Sequence, residues 1–242
     1  EVGRDLIGYG VEQVVFTDGR RSLAELLAGL PPVDEDAPPD GYSSVWKGTA
    51  EADQGYGDSL ANYLAGLEGN DSLWGLKGDD WLDGGRGDDA LWAGAGDDVL
   101  RGGPGSDSLM GDRGADTYHF RAGDGADTIS DAGGKGDRLV LGAGFRPVDV
   151  GLTRTGSDLS VALGAGDDRV TVLGWFGKGV GEIEQVVLHD GTTLLARQVD
   201  SLVQAMAGFT NALGVDSWKS AVAIAPDDAA SLVSPYWSAA AG

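Results

Sequence analysis

From residue 64 to residue 109 an apolar side chain returns every ninth position: Leu64, Leu73, Leu82, Leu91, Leu100 and Leu109. Glycines and acidic residues fill most of the space between. Each nonapeptide divides into a six-residue loop and a three-residue strand, and only the middle strand residue, the leucine, has to point inward. Two nonapeptides complete one turn, so the pattern predicts two short parallel sheets back to back. The expected fold is all-β: a parallel β-roll, or β-helix. Fixed-period repetition of this kind is the signature of a solenoid, in which each unit buries its apolar face against its neighbours.

After the repeats the period changes. Leu159, Val161 and Leu163, then Val170 and Val172, alternate around the turn segment "GAGDD" at 164–168 and predict a β-hairpin. A further strand is expected in "EIEQVVLHDG". Residues 201–211 suit a short amphipathic helix, with Ser201 and Gln204 as a capping box. The stretch "GVEQVVFTDGRRSLAELL" at 10–27 mirrors "EIEQVVLHDGTTLLARQV" at 182–199. It predicts the tail of an earlier, similar block, with Ser22 and Glu25 capping a short helix, and hence a longer parent. The expected organisation is therefore residues 1–30 as that tail, 31–47 as a Pro-rich acidic linker and 48–139 as the β-roll. Residues 140–200 form a β-rich capping region, and 201–242 a helix followed by a weakly ordered tail.

The polar residues keep the same phase as the leucines. Two positions before each inward residue from Leu73 onward stands Asp71, Asp80, Asp89, Asp98, Asp107 or, ahead of Tyr118, Asp116, while Asn62 replaces the Asp before Leu64. Two before those stand Gly69, Gly78, Gly87, Gly96, Gly105 and Gly114. The six clean units run from GLEGNDSLW at 66–74 to GDRGADTYH at 111–119. Imperfect copies flank them, with Asp53 before and Asp127 and Asp137 after. Glycine permits backbone angles closed to other residues. Asn or Asp at the fifth position (Asn70, Asp79, Asp88, Asp97) tolerates a left-handed turn.

Stacking alternate units puts Asp71, Asp89 and Asp107 in one column and Asp80, Asp98 and Asp116 in another. Strands in a sheet lie about 4.7–4.9 Å apart. Two carboxylates at about 5 Å repel by roughly 3 kcal/mol at an effective dielectric near 20. One inward side chain per unit makes a thin core to set against that repulsion and the entropy of ordering so many glycines. A hard cation between the loops reverses the sign. Calcium takes six to eight oxygens in irregular geometry; magnesium demands a stricter octahedron, and zinc or copper favours His or Cys. The chain has two His and no Cys. Calcium is the expected ligand.

These units have the form GGxGxDxU, and six in-phase copies resemble the RTX (repeat-in-toxin) haemolysin-type calcium-binding family over residues 48–139. The resemblance implies a ligand set. Position-6 carboxylates of alternate units bind together with carbonyls of positions 1 and 3 from one loop and of positions 2 and 4 from the other. Carried over residue by residue, the implied metal ligands are Asp71, Asp80, Asp89, Asp98, Asp107 and Asp116, with Asp53 and Asp127 at the edges. The implied loop carbonyls are Gly66, Gly69, Gly75, Lys77, Gly78, Gly84, Gly85, Arg86, Gly87, Ala93, Gly94, Ala95, Gly96, Gly102, Gly103, Pro104 and Gly105. Four sites follow from the pairs 71/89, 80/98, 89/107 and 98/116. Ala93 departs from Gly at position 1, where only its carbonyl would bind; Leu67, Leu76 and Asp112 depart from Gly at position 2. The flanking β-rich segment and tail are similar to the C-terminal ends of type I-secreted proteins, including the last block of RTX adenylate cyclase toxins, and by that likeness the tail within 201–242 resembles an uncleaved secretion signal. That likeness implies a secreted, monomeric module that passes through type I secretion machinery unfolded and folds outside on meeting calcium.

Composition narrows the alternatives. A formal charge of −22 opposes a nucleic-acid partner, because a phosphate backbone would be repelled. No run of about 18 apolar residues is present to span a membrane. The sequence contains no HExxH, GxSxG, P-loop or Cys nucleophile, so no enzymatic activity is expected. The ninth position reads Trp74, Trp92 and Met110 on one side of the roll, and Asp83, Arg101 and His119 on the other. The apolar stripe is expected to lie under the flanking segments. The alternative is an adhesive, glycan- or host-surface-binding platform. His119 and His189 are read as ordinary polar residues.

Overall fold

The computed structural model describes residues 41–164, 166–177 and 183–238. The strand and helix expected within 1–30, and most of the 31–47 linker, lie outside the described residues.

The chain enters at β1 (Ser44–Lys47), inside the stretch read as linker, and β2 (Gln54–Tyr56). The regular turns follow: β3 (Asn62–Glu68), β4 (Ser72–Lys77), β5 (Trp81–Arg86), β6 (Ala90–Ala95), β7 (Val99–Arg101), β8 (Ser108–Arg113) and β9 (Thr117–Phe120). Then come β10 (Ala126–Ile129) and β11 (Arg138–Leu141). Odd strands stack parallel in one sheet and even strands in the other, as expected of two units per turn. Leu64, Leu82, Leu100, Tyr118 and Leu139 pair in register along the first sheet. Leu73, Leu91, Leu109 and Ile129 do so along the second. All nine are at most 2% exposed, so the thin column of inward residues is the core of the roll.

The turns impose left-handed backbone at positions 2 and 4 rather than at position 5. Gly85, Gly94 and Gly103 have φ of 97° to 113°, and Leu67, Leu76 and Asp112 adopt φ of 73° to 84° in the equivalent places. The position-5 side chains do something else. Asn70, Asp79, Asp88 and Asp97 each use Oδ1 to accept the position-5 backbone N–H of the turn above, at 2.8–3.0 Å. They form an outer hydrogen-bond ladder that the spacing alone does not reveal.

The C-terminal region continues both sheets. β12 (Val150–Thr155), β13 (Asp158–Leu163) and β14 (Arg169–Val172) form an antiparallel set, and β14 pairs parallel with β10. The expected hairpin is therefore present, with Val161 opposite Val170. β15 (Gln185–Leu188) pairs parallel with β11, then β16 (Thr193–Leu195) and β17 (Trp237–Ser238) close that sheet antiparallel. Helix α1 spans Ala196–Leu213, starting five residues before the expected cap. Gln198 Oε1 accepts the Leu195 N–H at 3.2 Å and takes over the capping role, leaving Ser201 and Gln204 within the helix. Gly214, at φ 68°, supplies the left-handed C-terminal cap. The segment expected to be a weakly ordered tail is helical: α2 (Trp218–Ile224) and α3 (Pro226–Val233) bury Trp218, Ala221, Ala229 and Val233. The Trp218 indole N–H donates to the Val148 carbonyl at 2.8 Å, fixing α2 beside β12.

Candidate metal centre

Strand register carries the acidic residues into two columns. One contains Asp53, Asp71, Asp89, Asp107 and Asp127; the other contains Asn62, Asp80, Asp98, Asp116 and Asp137, with Glu184 in the next position. Each carboxylate is tied to the turn below. Asp89 Oδ1 accepts the Asp71 N–H at 2.7 Å, Asp98 Oδ1 that of Asp80 at 2.7 Å, Asp107 Oδ1 that of Asp89 at 2.8 Å, and Asp116 Oδ1 that of Asp98 at 2.9 Å. Asp127 and Asp137 repeat the bond to Asp107 and Asp116, and Glu184 Oε2 accepts from Asp137 at 2.8 Å.

This fixes one oxygen of each carboxylate and leaves the other. Oδ2 of Asp71, Asp80, Asp89, Asp98, Asp107 and Asp116 is buried and accepts no hydrogen bond. Buried charged oxygens without partners are costly and call for a counter-charge or a proton. Burial pushes the carboxyls upward. Asp98 reaches about 8, with the Asp80 N–H lowering it and the Asp116 and Asp80 charges adding to the rise. Asp80, Asp107 and Asp116 reach about 7 and Asp89 about 6, also chiefly through burial. The two N-terminal positions differ. Asp53 Oδ2 accepts from both the Thr49 N–H and hydroxyl at 2.7 Å, and Asn62 is bonded to Asp58 and Ser44. Asp53, placed in the column as expected, thus has its second oxygen satisfied. Asp127 joins the column buried, shares a hydrogen bond with the Asp107 carboxyl and reaches about 8.

The loops supply further oxygens. A Cβ built at Gly66 would collide with Asp71 Oδ2 and the Gly84 carbonyl; at Gly84, with Asp89 Oδ2 and the Gly102 carbonyl; at Gly75, with Asp80 Oδ2 and the Ala93 carbonyl. Position 1 is thus a notch between a free carboxylate oxygen and a carbonyl of the turn above. Ala93 holds that position in its own turn and is completely buried. The position-2 and position-4 carbonyls, such as Gly85 and Gly87, run up the turns behind Gly103 and Gly105, as Leu76 and Gly78 do behind Gly94 and Gly96. The Gly69 carbonyl stands likewise behind Gly87. Position-3 carbonyls of Arg86, Ala95 and Pro104 accept the position-4 N–H of the turn below at 2.9–3.1 Å, keeping a second lone pair each. The Lys77 and Arg86 side chains are exposed.

Trp74, Trp92 and Met110 of the ninth-position stripe are half-buried. Tyr56 stacks on Trp74 at 4.7 Å and Trp74 on Trp92 at 4.8 Å, with interplanar angles of 6° and 4°. Both faces of the Trp74 ring are thus stacked on neighbouring rings, while Tyr56 at the end of the stack is exposed. On the opposite side His119 stacks on Trp81 at 6.1 Å.

A parallel roll with rows of unpartnered, buried carboxylate oxygens facing loop carbonyls defines a repeat protein for hard cations. The repeat identifies the cation. Residues 56–91 and 85–118 match the family model for the RTX calcium-binding nonapeptide repeat, and residues 158–198 match that for the haemolysin-type calcium-binding protein related domain. The array at 56–118 is accordingly an RTX calcium-binding repeat, and its cofactor is Ca2+. No curated protein matches the chain. Among solved structures, the extracellular lipase LipA from Serratia marcescens is similar at 19% identity and a TM-score of 0.30. The alignment covers 64% of this chain and 42% of the lipase chain, so this chain spans less than half of that protein.

Proposed function

We propose that the chain is a non-catalytic module of a secreted protein that is disordered without calcium and folds on binding it, after export by type I secretion machinery. The observation that carries this reading is the two columns of three buried Oδ2 atoms without hydrogen-bond partners. Asp71, Asp80, Asp89, Asp98, Asp107 and Asp116 would hold the ions, with carbonyls of the position-1 to position-4 residues from Gly66 to Gly105 completing the shells. Calcium supplies the positive charge that lets like-charged turns stack. Because the ions bind the stacked turns and not the open chain, they stabilise the fold by mass action. At low calcium, repulsion along two carboxylate columns keeps the chain open and able to pass a narrow channel as a monomer. The region from 140 onward caps the roll, since the last turn of a solenoid otherwise exposes unpaired edges. Calcium titration of the chelated chain, followed by circular dichroism, tests the proposal. A cooperative gain of β-signal is expected with calcium and little with magnesium. A dispersed, fully folded chain in excess chelator refutes it.

A further inference from the structure

The last regular turn of the roll departs from the others in a way that the nonapeptide phase does not anticipate. Asp131, outside that phase, lies in the excursion between β10 and β11 and is 3% exposed. Its carboxylate joins Asp116 and Asp137, and among the described residues this is the one group where three acidic side chains bring oxygens within 4.8 Å of one another. Asp116 is completely buried, and its Oδ2 has no hydrogen-bond partner. At Gly66, Gly75 and Gly84 the corresponding gap is closed by a position-1 carbonyl from above. At Gly111 the nearest atoms are instead those of the Asp116 carboxylate and the Tyr118 hydroxyl. Tyr118 occupies the inward slot that holds leucine elsewhere. Its hydroxyl accepts the Gly111 N–H at 2.9 Å and donates to Asp131 Oδ2 at 2.8 Å. That bond leaves Asp131 Oδ1 for the Gly133 N–H, at 3.3 Å, and for a further ligand.

We infer that Asp116, Asp131 and Asp137 form a separate calcium site at the C-terminal end of the roll, with three carboxylates where the repeat sites have two, and that Tyr118 positions Asp131 within it. Calcium affinity in oxygen sites rises with ligand charge and with the rigidity of the ligands. Both are greater here. The extra carboxylate adds a negative charge, and the Gly111–Tyr118–Asp131 chain of hydrogen bonds holds it. The inference rests on the calcium reading of the repeats, and its test separates the two. Bound calcium is counted in the full chain by competition with a chromophoric chelator, for wild type, Asp131→Asn and Tyr118→Phe. Asn at 131 keeps an acceptor for the tyrosine hydroxyl while removing the charge. The expected result for Asp131→Asn is one ion fewer, or one binding step weakened about tenfold or more, with the circular dichroism at saturating calcium unchanged. Tyr118→Phe is expected to weaken the same step and keep the ion count. An Asp131→Asn chain that binds the wild-type number of ions with wild-type affinities overturns the site, while leaving the repeat sites standing. Should Asp131→Asn fail to fold at saturating calcium, Tyr118→Phe decides: an unweakened series of steps overturns the inference. A wild-type chain that binds no calcium at all overturns the reading of the repeats instead.

Discussion

Protons and calcium compete for the same oxygens, so acid should replace part of the work of the metal. The perturbation is a fall from pH 7 to pH 5 in excess chelator. In the folded roll the carboxyls of Asp98 and Asp127 stand at about 8, those of Asp80, Asp107 and Asp116 at about 7, and those of Asp89 and Asp137 at about 6. All lie above the unfolded value near 3.9. A carboxyl raised on folding disfavours the folded state at neutral pH, and the penalty shrinks as pH falls toward the unfolded value. By linkage each group costs about 3–4 kcal/mol at pH 7 and about 1.5 kcal/mol at pH 5. Water at the loop edges screens part of this, and coupled neighbours do not ionise independently. Halving the difference still leaves roughly 1 kcal/mol of relief per carboxyl, or about 7 kcal/mol over these seven, comparable to the whole stability of a domain. Far-ultraviolet circular dichroism and sedimentation velocity of the chelated chain between pH 7.5 and pH 5 provide the assay. The expected outcome is a gain of β-structure in a monodisperse sample as pH falls, together with a calcium midpoint that moves to higher concentration. Equal or greater disorder at pH 5 without calcium would refute the claim that ladder ionisation holds the apo chain open.

The position-1 notch gives a paired test. Gly84→Ala places a methyl against Asp89 Oδ2 and the Gly102 carbonyl and should raise the calcium midpoint of folding, whereas Ala93→Gly restores glycine at the equivalent position and should lower it; both are read from calcium titrations by circular dichroism. Trp92→Ala removes the end ring of the Tyr56–Trp74–Trp92 stack and should destabilise the calcium-loaded roll by about 1–3 kcal/mol. Thermal melting gives the loss, and a glycan array distinguishes this structural role from adhesion: sugar binding by wild type that disappears in a folded Trp92→Ala chain would restore the platform reading.

Much of the roll was legible because one period governs three residue types. Leu at position 8, Asp at position 6 and Gly at position 4 each recur every nine residues, and a period of nine with two sheets leaves only alternate units in contact. What the period could not reveal came from interactions that leave it. Asp131 stands out of phase, and only the fold of the excursion after β10 brings it to Asp116. Tyr118 reads as a conservative filler of the leucine slot until its hydroxyl is followed to Asp131. Asn and Asp at position 5 tolerate left-handed turns, but the left-handed backbone falls at positions 2 and 4, and position 5 binds backbone N–H groups. The helical end from Trp218 to Val233 was obscured by a run of small residues with little charge, whose helices are held by burial of Trp218, Ala221, Ala229 and Val233 rather than by a strong local signal.

The two directions of hydrogen bonding in the turns explain why the carboxylates remain available to metal. Position-5 side chains accept from the turn above, and position-6 side chains accept from the turn below. Each turn is therefore tied to its neighbours by neutral donors before any cation is considered. The backbone satisfies only one oxygen of each position-6 carboxylate, and the notch at position 1 is too narrow for another side chain to reach the second. Each added unit brings one orphan oxygen for every inward residue, so length alone cannot make such a roll stable. Stability has to come from ions between the turns and from the ends. At the C-terminal end Glu184 fills the next carboxylate position and accepts from the Gly136 and Asp137 N–H groups, while Val170 takes the corresponding position in the other column. One column thus ends on a charge that accepts hydrogen bonds and the other on a hydrocarbon. The acidic ladder stops where antiparallel strands and helices begin to supply the larger core that the repeats lack.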